Sequence, residues 1–116
     1  MKPFREFERE VVKICLASHL PIDEVEAVID SAVWVSYNYT GCGYYLTVRH
    51  PSFPSARVVC DMPLTGTSGN IVCGFVIFLE NGELTLECHT WGPEDVPEDF
   101  RERQVEIRRG ARRLFP

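Results

Sequence analysis

Glu87 and His89 stand two residues apart in the run ELTLECHTW, whose apolar residues alternate with polar ones. Alternation is the period of a β-strand and puts every second side chain on one face. A carboxylate, an imidazole and, two residues on, the indole of Trp91 therefore share a side. An acid–imidazole pair beside an aromatic wall can move protons or hold a small polar ligand. Gly74 is expected across from His89, leaving room for the ring, and Arg49 is the candidate anion anchor. The plainer reading is a Glu–His pair on a solvated sheet face, with the glycine simply accommodating the imidazole.

Other reactive types are less suggestive. Nucleophilic catalysis needs a cysteine or serine beside a histidine and an orienting acid. Cys60 with His50 or His89 is the available combination, but the adjacent Asp61 would disfavour the thiolate. The five cysteines (Cys15, Cys42, Cys60, Cys73 and Cys88) are odd in number, with no C-x-x-C and no paired metal spacing. They predict free thiols acting as small hydrophobes, with no disulfide, no metal and no cofactor. The loop Thr65-Gly66-Thr67-Ser68-Gly69-Asn70 lacks the lysine and the helix that a phosphate loop requires, so it reads as a plain connection. The aromatic strand of an RNA-recognition motif is excluded for Cys73–Phe78, because no basic residue leads the run and Phe75 points inward.

These residues depend on the elements around them, and the strongest element signal is the hairpin of residues 71–91. Asn81-Gly82 joins two alternating runs, and both residues tolerate the positive φ of a type I′ turn. That turn pairs Leu79 with Leu84, Ile77 with Leu86 and Phe75 with Cys88, making Ile71, Cys73, Phe75, Ile77, Leu79, Leu84, Leu86 and Cys88 one buried face. The opposite face carries Val72, Gly74, Val76 and Phe78 against Trp91, His89, Glu87 and Thr85.

Upstream, Phe4, Phe7, Val11, Ile14 and Cys15 fall at helical spacing over residues 3–18, with Arg5, Glu6, Arg9, Glu10 and Lys13 forming a solvated face. A second helix is expected near residues 23–31, capped by Asp23. The period then changes to two over residues 33–39 and again over 44–50, joined through Gly41-Cys42-Gly43. Residues 57–60 read as a short strand, 61–70 as a polar loop and 98–104 as a short helix with an ambiguous remainder. The fold class is α+β: two N-terminal helices on one face of an antiparallel sheet of four to six strands, as one domain over residues 1–116.

A chain of 116 residues that is 45% hydrophobic and 25% charged is expected to fold into a packed core. Its N-terminus is charged where a signal peptide would be apolar, and no run approaches membrane-spanning length; a cytoplasmic protein, or a piece of one, is expected. The net charge of −5 is unevenly spread: residues 14–100 hold two arginines against twelve acids, a local balance of −10. Arg101, Arg103, Arg108, Arg109, Arg112 and Arg113 make the C-terminus basic. That stretch either folds back onto the acids or is displayed, but the acidic body opposes nucleic-acid binding.

An acidic body without a catalytic signature points to a non-catalytic module that engages a basic protein. The expected binding surface is the outer face, Val76, Phe78, Glu87, His89 and Trp91, rimmed by Glu80 and Glu83. Immunity proteins that neutralise bacterial nuclease toxins are of this physical type; the comparison is one of size and charge and rests on no motif. The alternative is a small ligand-binding domain or enzyme using the Glu87–His89–Trp91 group. A homodimer is compatible with either.

Overall fold

The computed structural model describes residues 2–61 and 63–109. The chain runs α1 (Glu6–Leu16), α2 (Ile22–Ser31), β1 (Val33–Tyr39), β2 (Gly43–Arg49), β3 (Val58–Cys60), β4 (Leu64–Ser68), β5 (Ile71–Glu80), β6 (Glu83–Thr90), a 3-10 turn (Phe100–Glu102) and β7 (Glu106–Arg109). The strands form one antiparallel sheet in the order β1-β2-β6-β5-β4-β7. Both helices pack on one face, and the fold is α+β as expected.

Seven strands exceed the four to six expected, and β4 accounts for the difference. It lies inside what reads as a polar loop. The ten-residue β5 is long enough to hold two partners on one edge: β4 pairs with residues 71–74 and β3 with residues 77–79. Gly66 in β4 faces inward, where a Cβ would come within 2.8 Å of Cys73 Sγ and 3.0 Å of the Phe75 ring. The strand thus owes its glycine to close packing.

The turn carries out its sequence instruction. Asn81 and Gly82 have φ of 54° and 77°, and the pairings Leu79–Leu84, Ile77–Leu86, Phe75–Cys88 and Gly74–His89 all occur. The predicted inward face is buried in full. Against it α1 sets Phe7, Val11, Val12, Cys15 and Leu16, and α2 sets Val25, Val28 and Ile29. The Phe7 ring packs 6.2 Å from Phe75 and edge-on, 5.7 Å from Phe100. Helix α2 begins one residue before the expected position, with Pro21 at the N-cap; Asp23 sits in the first turn, where its charge favours the helix dipole, and does not cap.

Two further differences concern cysteine and charge. Cys15 and Cys60 form a disulfide from α1 to β3, so the expectation of five free thiols fails at these two. Cys73 and Cys88 are free and buried, and burial with the neighbouring Cys73 sulfur pushes the Cys88 thiol well above its ordinary pKa. Arg101 from the basic C-terminal stretch folds back to the N-terminus. There it donates through Nε and Nη2, at 2.7 and 2.8 Å, to the fully buried carboxylate of Glu8. Residues 106–109 extend the sheet beside β4, so they widen the outer face without lying over it. Gly110, Ala111, Arg112, Arg113 and Leu114 lie outside the described residues. Among the described residues no helix is long and apolar enough to cross a membrane.

Candidate functional site

Strand alternation and the ladder registers generate the outer face in rows. Glu80, Glu83, Arg49 and Val33 form the row nearest the turn. Val59, Phe78, Thr85, Thr47 and Ser36 come next, then Val76, Glu87, Tyr45 and Asn38. Arg108, Thr65, Gly74, His89 and Gly43 follow, and Val72 with Trp91 closes the far end. Among the described residues no helix or strand lies over these rows. Val72, Val76 and Phe78 are half-buried by their neighbours, while Val59 and Tyr45 are 49% and 39% exposed.

The acidic rim is present and each of its carboxylates has a local partner. Glu83 pairs with Arg49 at 3.0 Å, Glu80 with Arg57 at 3.9 Å, and Glu87 accepts from Tyr45 Oη at 3.2 Å. The Glu87 charge raises the Tyr45 pKa above its ordinary value. All these groups are solvent-accessible, and exposed ion pairs are worth only about 0–1 kcal/mol. A cationic partner can therefore compete for them.

The chemistry-bearing trio occupies three successive rows of the face, Glu87 opposite Val76, His89 opposite Gly74 and Trp91 against Val72. Trp91 lines an apolar recess of about 350 Å³ with Val72, Gly92 and Pro93. Glu87 and His89 are outside that lining, and Glu87 is engaged with Tyr45. His89 Nδ1 is buried without a hydrogen-bond partner, and so is Thr65 Oγ1, on the other side of Gly74 in the same row. Buried polar atoms are nearly always satisfied, so this pair of orphans singles out the row of Gly74. Gly43, at the end of that row, is required for close approach: a Cβ there would stand 2.1 Å from the Cys88 carbonyl oxygen.

The remaining candidates disperse. His50 receives the Ser52 N–H at Nδ1, which leaves Nε2 to donate to Ser31 Oγ, each at 3.0 Å; it caps a turn and does not approach Cys60. The side chains facing Cys60 are Cys15 and His19, whose Nε2 lies 4.0 Å from the sulfur. Among the described residues the basic C-terminal stretch is not a single display. Arg101 is spent on Glu8, while Arg103 and Arg108 pair with Asp99 and Glu106.

Two groupings escape a reading of the sequence. Glu8, at the third position of α1, accepts from the Arg5 backbone N–H at 2.7 Å, from Tyr44 Oη at 2.5 Å and from Arg101. The Arg101 guanidinium also lies over Trp34 and Tyr37, 5.5 and 5.6 Å from their centroids. Burial, followed by the Glu8 charge, raises the Tyr44 pKa well above its ordinary value. Burial works against the charged Arg101, but its hydrogen bonds and charge pairing with Glu8 win and raise its pKa. The second grouping is Cys15, His19 and Cys60; its one local signal is the four-residue spacing from Cys15 to His19. Comparison with protein-family models, with characterised proteins and with solved structures finds no match to this chain.

Proposed function

We propose that the chain is a non-catalytic, cytoplasmic binding module of inhibitor type, which docks a basic protein on the outer face of β5 and β6. The observation that carries this reading is the apolar strip Val59–Phe78–Val76–Val72, over which no helix or strand of the described residues lies, bordered by Glu80, Glu83 and Glu87. Apolar area of this kind supplies affinity when buried, and the carboxylates supply steering and register. The body around it is strongly acidic, which selects cationic partners at long range.

The test is affinity capture with the wild-type chain, a Glu80→Lys/Glu83→Lys variant and a Phe78→Asp variant, after circular dichroism shows all three folded. A captured protein of basic isoelectric point is expected, lost in both variants and released progressively as salt rises. Capture that is indifferent to both variants, or to salt, overturns the proposal. Self-association through this face in sedimentation experiments also overturns it, since acids would then meet acids.

A second reading keeps one specific observation, the two orphaned atoms beside Gly74. A small polar ligand seated between Thr65 and His89 would satisfy both, and His89→Ala would then abolish its binding in calorimetric titration.

A further inference from the structure

The corner where α1 ends against β3 gathers three metal-ligating side chains from distant parts of the sequence. Cys15 lies in the last turn of α1, and His19 follows four residues later in the turn beyond its C-terminus, with Nε2 4.0 Å from Cys60 Sγ. Cys60 is the last residue of β3 and reaches the same place from the sheet. The two sulfurs and a nitrogen of the imidazole all lie within 4.8 Å of one another. A tetrahedral zinc ion at about 2.3 Å from thiolate sulfur and about 2.0 Å from imidazole nitrogen needs its ligands roughly 3.5–3.8 Å apart. Movement of about an ångström would therefore bring the three donors to coordination distance.

We propose that this corner is a redox-gated zinc site. In the oxidised chain the Cys15–Cys60 disulfide occupies both sulfurs and no thiolate is available. A dithiol reductant delivers two electrons and two protons to the disulfide, becoming a disulfide itself and leaving two cysteine thiols. Zinc then displaces both thiol protons to solvent and takes Cys15 Sγ, Cys60 Sγ and His19 Nε2, with water at the fourth position. Two soft sulfurs with one imidazole suit zinc better than calcium or magnesium, which prefer oxygen. The burial gradient fits a ligand set of three side chains plus water: Cys15 is buried, Cys60 half-buried and His19 exposed. This inference is independent of the docking face, which lies on the other side of the sheet.

The experiment compares oxidised and reduced full-length chain by equilibrium dialysis against Zn²⁺. A chromophoric chelator then ranks the affinities, and Co²⁺ serves as a spectroscopic substitute. One zinc per reduced chain is expected, and none per oxidised chain, with a sulfur-to-cobalt charge-transfer band in the cobalt form. Binding should be lost in Cys15→Ser and Cys60→Ser and retained in Cys42→Ser. Removing an outer-shell partner already weakens metal sites about tenfold or more, so His19→Ala should weaken binding at least that much. His19 is exposed, so this variant should fold even where a core cysteine variant does not. Equal zinc binding by both redox forms, or unchanged affinity in His19→Ala, overturns the assignment.

Discussion

At the scale of single residues, the most consequential side chain is Glu8. A buried carboxylate is costly unless every lone-pair direction is answered. Here a backbone amide, the Tyr44 hydroxyl and two guanidinium nitrogens answer it, and the guanidinium is stacked on Trp34 and Tyr37. The same arginine donates to the Pro3 carbonyl at 2.9 Å, so one residue ties the chain before α1 to the chain after β6. Removing one member leaves the other charge buried and unpaired, which costs about 3–5 kcal/mol. Arg101→Met is expected to lose that much in urea unfolding, and Glu8→Met/Arg101→Met to recover only part of it, because the buried Tyr44 hydroxyl and the Arg5 amide then lose their acceptor. A single variant within about 1 kcal/mol of wild type would show that the pair behaves as a surface contact.

At the scale of elements, glycines decide how closely the strands approach. Gly43 sits where β2 crosses His89 of β6, and the atom a Cβ would strike is backbone, which cannot move without breaking the ladder. At Gly66 the obstacles are the Cys73 sulfur and the Phe75 ring, which can shift by a few tenths of an ångström. Overpacking costs about 1–3 kcal/mol, so Gly43→Ala is expected at or above the top of that range and Gly66→Ala near the bottom. Urea midpoints check the order, and its reversal would refute the argument. The same contrast explains what could be read in advance. Asn81-Gly82 fixes the hairpin register through local φ preferences alone, so every pairing of β5 with β6 was legible. Leu64–Ser68 carries one large apolar residue and a glycine, and becomes a strand only because β5 has a free half-edge. Glu8 and Arg101 are 93 residues apart, and nothing near either names the other. The outer-face residues were legible as a face, but the hydrogen bond that Glu87 accepts from Tyr45 depends on a neighbouring strand.

At the scale of the whole molecule, the radius of gyration is 13.7 Å, close to the roughly 13 Å expected for a compact chain of this length. That compactness is held by ties across the sequence as well as by the core. Arg9 joins α1 to Asp30 and Glu26 of α2, Arg5 pairs with Glu102, and the Cys15–Cys60 bridge fastens α1 to the edge strand β3. β3 is only three residues long and among the described residues pairs on one side, so few ladder bonds hold it to β5. The bridge therefore acts on the weakest strand and also closes a loop with a sequence separation of 45 in the unfolded chain. Loop-closure entropy for that length corresponds to about 4 kcal/mol, and measured disulfides commonly deliver about 2–4. Reduction in the presence of a chelator is expected to lower stability by that amount in urea unfolding. Amide exchange should accelerate first in residues 58–60, while the β5–β6 hairpin keeps its protection. Loss of protection spread evenly over the sheet would mean that the bridge acts only through the unfolded state and does not hold β3 in place.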